Sequence, residues 1–397
     1  MTRDRLLFCD LTQSWSATGG GVGTFIRAKR RHILDHSRHA HLLIIPGEKD
    51  ATSIDADGRS ITVEIASPKV PGSPNYRLLL RNKAVRAALA EHRPDLIECQ
   101  DAYNLPWAAI AYRRNVPNTA LVAAYCTDFP TAYVERPLAK LLGGVIAGAA
   151  SALAYRYAAK LYAHFDAVFA MSEHGGAATL RALGLGNVDV VPLGAEVDSF
   201  SPAQRSSALR ERIGVKPGEP LILYVGRIDT EKGAAIVAEA FTKLPPAMNA
   251  TLVMLGAGAQ REALAAKLAG QRAHFPGFVS DRAELAGWLA SADLYASGMA
   301  DETFGISIIE AQASGLPVVG VAAGAMIDRI TPALGRLGPV GDAAAMAANL
   351  AELWAGDPRA MGEAAWAHAQ QYSWSASMEH LFGRVYPAAL AKAAARA

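Results

Sequence analysis

The stretch Asp301-Glu302-Thr303-Phe304-Gly305-Ile306-Ser307-Ile308-Ile309-Glu310-Ala311-Gln312-Ala313-Ser314-Gly315-Leu316-Pro317-Val318-Val319 runs through a turn, a helix, a stop and a strand. Ile306, Ile309 and Ala313 recur at helix spacing and are expected to face a core, which leaves Glu310 on a neighbouring face. Gly315 stops the helix. Leu316-Pro317-Val318-Val319 then reads as a short buried strand beginning at proline, where a missing N–H costs little. Glu302, in the Gly-containing turn, lies eight positions before Glu310. A carboxylate on such a helix can accept both hydroxyls of a ribose. The unsatisfied N–H groups of the helix start, near Phe304, Gly305 and Ile306, favour a phosphate or a sugar hydroxyl beside Glu302. Two solvated surface glutamates would give the same spacing, so the surrounding pattern has to decide.

Outward from this segment the same alternation fills the chain. Leu6–Asp10, Leu42–Ile45, Leu96–Cys99, Leu121–Tyr125, Ala167–Met171 and Val188–Val191 read as strands separated by helix-length segments. Leu221–Val225, Thr251–Leu255, His274–Val279, Leu294–Ser297 and Val318–Val321 continue the series. Strands alternating with helices imply parallel sheets built from right-handed crossovers, with helices on both faces. So many strands fit two sheets better than one, and the Pro-bounded connector Pro192–Pro202 is the natural break. The expected architecture is α/β, with two Rossmann-like doubly wound domains facing a central cleft: residues 1–195, residues 196–374, and a C-terminal helix, 375–397, crossing back to the first domain. Its Ala-rich end, Ala388–Ala397, is expected to fray.

Composition narrows the function classes. The chain has 397 residues, 51% hydrophobic and 19% charged, which describes a packed globule rather than a disordered segment. A formal charge of +2 gives no whole-molecule attraction to nucleic acid. Cys9, Cys99 and Cys126 are scattered, which fits a reducing compartment rather than a disulfide framework. Met1-Thr2-Arg3-Asp4-Arg5 leads directly into a strand without an apolar signal segment. An uncharged, Gly- and Ala-rich run lies between Lys140 and Arg156, short of the ~20 apolar residues needed to span a bilayer. The expected location is cytoplasmic, at most peripheral on the inner face of the cell membrane.

Further motifs carry chemistry. Tyr224-Val225-Gly226-Arg227-Ile228-Asp229-Thr230-Glu231-Lys232-Gly233 follows a strand and enters a helix, placing a guanidinium and an ammonium where they would neutralise a diphosphate. In isolation it is equally an ordinary charged turn. Gly256-Ala257-Gly258 follows another strand, and Phe275-Pro276-Gly277-Phe278-Val279 another. Near the N-terminus, Gly19-Gly20-Gly21-Val22-Gly23-Thr24-Phe25 precedes a helix; clustered glycines admit close backbone approach, and the helix start offers N–H groups to phosphate. Ala124-Tyr125-Cys126-Thr127-Asp128-Phe129-Pro130 closes a strand. None of the strands expected above ends in an Asp-x-Asp that could hold a metal.

Together these segments resemble the retaining family 4 glycosyltransferases of the GT-B type. The Glu302–Glu310 pair matches the E-x7-E motif, and the Cys126 segment is similar to the His-Thr-Asp-Phe-Pro segment of a lipid- and mannose-handling branch. The resemblance implies a metal-independent transfer of a hexose or pentose, with no cofactor, from a UDP- or GDP-sugar to a lipid or glycan hydroxyl. It assigns acceptor binding to the first domain and nucleotide-sugar binding to the second. Arg227 and Lys232 would hold the leaving diphosphate, Glu302 the donor sugar and Glu310 the ribose, while Asp128 would belong to the catalytic site. Gly21, Val22, Gly226, Gly256, Gly258, Phe278, Val279, Phe304, Gly305 and Ile306 would line the nucleotide sugar. Cys126 stands where the branch carries a histidine that touches the donor sugar, so a donor with a different C6 substituent is expected. A non-catalytic sugar-nucleotide-binding partner is the alternative; an epimerase or a phosphorylase on this scaffold lacks its motifs.

The acceptor side is basic. Arg27, Lys29, Arg30, Arg31 and Arg38, with His32, His36 and His39, meet only Asp35 in opposition. Arg77, Arg81, Lys83 and Arg86 are interleaved with Leu78, Leu79 and Leu80. This composition suits an anionic membrane face as well as it suits a solvated helix, and it offers no stacking platform for nucleic acid.

Overall fold

Runs of Val, Leu, Ile and Ala too uniform for a wet face form strands covered on both sides. The computed structural model describes residues 5–16, 21–70, 73–186 and 188–396. In chain order the strands are β1 Leu7–Leu11, β2 Ala40–Gly47, β3 Ala51–Ile54, β4 Ser60–Ala66, β5 Lys69–Val70, β6 Ser73–Arg77, β7 Leu96–Cys99 and β8 Ala120–Tyr125. They continue with β9 Ala167–Ala170, β10 Val188–Val190, β11 Leu221–Val225, β12 Thr251–Leu255, β13 Ala273–Gly277, β14 Leu294–Ala296, β15 Val318–Val321 and β16 Gly335–Gly338. The chain separates into two compact units, residues 1–192 with 377–397, and residues 193–376.

The sheet of the first unit has the order β10-β9-β8-β7-β1-β2-β4-β3. Every residue of β2, β7 and β8 is buried, as apolar runs interrupted only by His41 and Glu98 lead one to expect. All pairings are parallel except β3 with β4, which run antiparallel at the edge. The expectation of wholly parallel sheets is therefore corrected here. β3, β4 and the β5–β6 hairpin lie outside the expected strands, although Ile61, Val63 and Ile65 alternate with polar residues through β4.

Helix Gly21–His36 lays Phe25, Ile26 and Ile33 into the core, and Lys29 goes in with them at 1% exposure. Its Nζ lies 2.8 Å from Asp10 Oδ1 and 2.7 Å from Glu98 Oε1. Gln100 Nε2 donates to both carboxylates, at 2.8 and 2.5 Å, and Tyr386 OH donates to Glu98 Oε2 at 2.6 Å. Arg30 Nε donates to His41 Nδ1 at 2.8 Å, so the imidazole carries its proton on Nε2 and gives it to Asp10 Oδ2 at 2.7 Å. Burial favours a neutral Asp10, but Lys29 and the His41 hydrogen bond prevail and hold its carboxyl well below the usual range. Burial likewise keeps His41 neutral against its carboxylate partner. Lys29 and Arg30 are thus structural, which removes them from the exposed basic face expected from sequence.

Residues 377–394 complete this unit. Tyr386 stacks on Phe8 with ring centroids 5.3 Å apart, and Ala389 and Ala393 are buried in helix Tyr386–Ala394. Lys392 Nζ bonds Asp166 O at 2.7 Å and Arg396 pairs with the Asp166 carboxylate. The Ala-rich end is therefore docked through Asp166 as far as residue 396, not frayed as expected.

The second unit is a six-stranded parallel sheet of order β13-β12-β11-β14-β15-β16. The order reverses between β11 and β14, and in such sheets ligands bind beyond the carboxyl ends of the strands at that reversal. β16, Gly-Arg-Leu-Gly, contains one large apolar residue and had no signal as a strand.

The buried ion cluster makes a direct prediction. Lys29→Ala leaves Asp10 and Glu98 buried without their cation and should cost about 3–5 kcal/mol. Denaturant unfolding checks it; stability equal to that of the unsubstituted chain would show that the cluster does not hold the first unit together.

Candidate active site

Three loops meet at the carboxyl ends of β11, β12 and β13. Gly226 N–H donates to Leu255 O at 3.0 Å, Gly256 N–H to Gly277 O at 2.8 Å, and Ile228 N–H to Ala257 O at 2.9 Å. The approach is so close at Gly256, where φ is +145°, that a Cβ would sit 1.9 Å from Gly226 O; only glycine fits. Two tyrosines clamp the β11 loop from below: Tyr224 OH donates to Arg227 O at 2.6 Å and Tyr295 OH to Val225 O at 3.1 Å. The platform is therefore set by backbone bonds between the loops and by two tyrosine hydroxyls beneath one of them.

On it stand the predicted cations. The Arg227 guanidinium is 58% exposed and is held by Asp229 Oδ2 at 2.5 Å and Glu231 Oε2 at 2.7 Å. Lys232 N–H donates to Asp229 Oδ1 at 2.9 Å, while its Nζ lies 3.6 Å from Glu302 Oε2 and 2.9 Å from Met299 Sδ. Lys232 and Glu302, seventy positions apart, thus occupy one site.

The Glu302–Glu310 segment folds as a tight turn into helix Ile306–Ala313. Gly305 caps that helix at φ +89°, and its carbonyl accepts from Ile308 and Ile309 N–H. By helix geometry the N–H groups of Ile306 and Ser307, ahead of those bonds, have no acceptor within the helix and lie at its open end. Ile309 and Ala313 are buried as expected; Ile308, rather than Ile306, shares the core with them. Glu310 is also buried, and its Oε1 accepts from Arg282 Nη2 at 2.8 Å. Burial pushes its carboxyl up despite Arg282. Arg282 lies over the Phe200 ring, 4.8 Å from its centroid, and 3.4 Å from Glu196 Oε2.

Neither Arg282 nor Arg329 was named from sequence, where nothing separates them from surface arginines. Arg329 is 4% exposed, donates to Phe304 O at 3.1 Å and Tyr372 OH at 3.1 Å, and lies 4.6 Å from both ring centroids. It fixes the turn between Glu302 and the helix. Phe278 projects into solvent at 76% exposure and Val279 is half-buried, both just after β13. Gly258 belongs to the β12 loop and packs against Ile228.

The remaining predicted residues lie in the first unit. Gly21 is exposed at the start of helix Gly21–His36, and Val22 packs on the Ile26, Leu43 and Ile45 cluster. Gly19 and Gly20 lie outside the described residues. Cys126 Sγ donates to Gln100 Oε1 at 3.4 Å, and burial raises the thiol well above its ordinary range, so it stays protonated. Through Gln100 it is tied to the Asp10–Lys29–Glu98 cluster. Asp128 accepts from Tyr125 OH at 2.9 Å, Thr131 Oγ1 at 3.0 Å and Tyr155 OH at 2.7 Å, joining the end of β8 to helix Gly144–Tyr162. Among the described residues no group of three or more His, Cys, Asp and Glu is arranged to hold a metal ion.

Solved structures share this architecture across nearly the whole chain. Sucrose-phosphate synthase from Thermosynechococcus elongatus superposes with a TM-score of 0.75 at 19% identity, covering 97% of this chain and all of that one. HepE of Anabaena, solved with UDP and glucose, gives 0.69 at 17% identity, covering 96% and 99%. The fold is GT-B, that of glycosyltransferases built from two Rossmann-like domains. The model "Glycosyltransferase Family 4" matches residues 19–199 and "Glycosyl transferases group 1" matches residues 219–356. A GDP-mannose-dependent alpha-(1-6)-phosphatidylinositol dimannoside mannosyltransferase of Mycobacterium tuberculosis is 29% identical over 302 residues, 74% of each chain. A D-inositol 3-phosphate glycosyltransferase of Xylanimonas cellulosilytica is 35% identical over 176 residues, 41% of this chain and 42% of its own length. The chain belongs to the family 4 glycosyltransferases.

The buried Arg329 carries the prediction for this site. Arg329→Ala strands the Phe304 carbonyl and leaves a cavity between two rings, which should cost about 2–4 kcal/mol. Unfolding of the variant within 0.5 kcal/mol of the unsubstituted chain, a difference of about twofold in equilibrium constant, would contradict its role as the clamp of the Glu302 turn.

Proposed function

We propose that this glycosyltransferase moves a sugar from a nucleoside-diphosphate sugar to a hydroxyl of a lipid or glycan, retaining the anomeric configuration and using no metal ion. The observation that carries this reading is the meeting of Lys232 with Glu302 at 3.6 Å, beside Arg227 at the end of β11. Arg227 is at present paired with Asp229 and Glu231 of its own loop, and Lys232 with Glu302 of the loop before helix Ile306–Ala313. A diphosphate entering the platform offers Arg227 and Lys232 a more concentrated negative charge, which they neutralise as it departs. Glu302, freed from Lys232, holds hydroxyls of the donor sugar. Glu310 accepts the ribose hydroxyls, held in place by Arg282, whose hydrogen bond opposes the upward push of burial on the carboxyl. The N–H groups at the start of helix Ile306–Ala313 face phosphate or sugar oxygens. Gly226, Gly256 and Gly258 let the backbone come close to the nucleotide, and Phe278–Val279 lies at its base. The acceptor hydroxyl attacks from the face the diphosphate leaves.

The mannosyltransferase relative bears GDP-mannose and a phosphatidylinositol glycolipid in its name, which favours GDP as the nucleotide and a lipid as the acceptor. Cys126 argues separately about the sugar. Its thiol is a weak donor already turned to Gln100, so it gives a 6-hydroxyl no strong partner. A donor differing from a plain hexose at C6 follows.

Calorimetry tests the division of roles. Arg227→Ala and Lys232→Ala should each weaken nucleoside diphosphate by about 1.5–3 kcal/mol, the range for hydrogen bonds to charged groups. Glu310→Ala should weaken free nucleoside diphosphate and sugar nucleotide alike, and Glu302→Ala mainly the intact donor. Unchanged affinity in both cation variants, or equal losses for the two ligands in Glu302→Ala, would overturn the assignment.

A further inference from the structure

The first unit carries a helical hairpin that its own fold does not cover. Helix Arg136–Leu142 has no buried residue and turns through Gly143 into helix Gly144–Tyr162. The second helix has two distinct stripes. Ala147, Ser151, Ala158 and Leu161 are buried against the body of the unit. On another face Val145, Ala149, Leu153, Arg156 and Lys160 are all exposed, at spacings of four, four, three and four residues. Around the turn Leu141, Leu142 and Ile146 join them; Leu141 is 79% exposed and Val145 90%. A soluble helix normally spends its outer stripe on polar residues. This one is aliphatic at the hairpin tip and basic toward its root, over about 22 Å of helix.

Charge selects the occupant. Residues 136–165 contain no Asp or Glu, against Arg136, Lys140, Arg156 and Lys160. The exposed tip is Leu, Val, Ile, Ala and Gly, without the aromatic and Met anchors that mark the centre of protein–protein interfaces. Aliphatic side chains reaching the acyl boundary, with cations following at headgroup level, match an anionic bilayer surface. No helix among the described residues is long and apolar enough to cross a membrane, so the contact is with one face.

We infer that the hairpin tip, centred on Leu141 and Val145, dips into an anionic lipid surface while Arg156 and Lys160 meet its phosphates. Of the basic stretches singled out in the sequence, Lys29 is buried and Arg77 and Arg81 pair with Glu48 and Asp50, and neither stretch carries an exposed aliphatic tip like that of the hairpin. The inference deepens the lipid-acceptor reading by placing the enzyme on the surface that would carry such an acceptor. Vesicle binding is measured without any transfer, so either idea can fail alone.

The experiment is co-sedimentation with phosphatidylcholine vesicles, with and without phosphatidylglycerol. The unsubstituted chain should bind the anionic vesicles and be released by salt. Leu141→Asp with Val145→Asp should lower that binding roughly tenfold or more, and Arg156→Glu with Lys160→Glu should remove the preference for phosphatidylglycerol. All four side chains are exposed, and a thermal unfolding profile matching that of the unsubstituted chain shows that the variants are folded. No vesicle binding by the unsubstituted chain, or undiminished binding by the Leu141→Asp, Val145→Asp variant, overturns the inference. So does concentration-dependent self-association that this variant abolishes, which would make a second copy of the chain the occupant.

Discussion

Everything proposed for the second unit depends on how closely its strand-end loops approach one another. With a Cβ at position 256 excluded by Gly226 O at 1.9 Å, the β11 and β12 loops come close enough to bond backbone to backbone, and Gln260 Nε2 adds a bond to Thr230 Oγ1 at 3.1 Å. Arg227 and Lys232 stand on that framework, held by Asp229, Glu231 and Glu302. Catalysis of group transfer draws most of its advantage from charges already in place before the leaving group develops its own. Backbone bonds between loops anchored on parallel strands supply that rigidity at low cost, because the strands themselves are buried and fixed.

The first unit solves a different problem, with charge held in the core. Asp10, Glu98, Lys29 and the neutral His41 satisfy one another, and removal of any partner would leave the others stranded. Such clusters add little over apolar packing of the same volume, yet breaking one by removing a partner is costly because the remaining charge stays buried. Gln100 spans both carboxylates and receives the Cys126 thiol, so the end of β8 is registered against the centre of the unit. Asp101 does the same for the loop after β1, accepting from Thr12 Oγ1 at 3.1 Å and Gln13 N–H at 2.5 Å. A residue change at 126 is therefore read by a network, not only by whatever lies in front of it.

The fold was legible where burial leaves no choice of residue. β2, β7, β8, β11 and β12 are covered on both faces and could be read as apolar runs, whereas β16 and the edge strand β3 are not and were missed. Glu302, Glu310, Arg227 and Lys232 were visible because their spacing is fixed by local turns. That Lys232 meets Glu302, and that Arg282 meets Glu310, depends on strand order, which no local pattern encodes. The basic face of helix Gly21–His36 was overread for a physical reason present in the sequence. Phe25, Lys29 and Ile33 recur at four-residue spacing, so the lysine shares the buried stripe and needs carboxylates there. The hairpin is the converse case: Val145, Ala149 and Leu153 follow the same spacing but face outward, and only the packed structure tells the two apart.

The central claim is a glycosyl transfer that keeps the donor's anomeric configuration. It is tested most directly by incubating the unsubstituted chain with acceptor lipid and a panel of hexose, 6-deoxy, pentose and uronic acid nucleotides. Magnetic resonance then gives the anomeric configuration of the glycoside, and nucleoside diphosphate release is followed in parallel. The account predicts stoichiometric release from a preferred donor altered at C6, with the new linkage in the donor's own configuration. An inverted linkage, or no release from any donor by protein that binds nucleoside diphosphate normally, would contradict it.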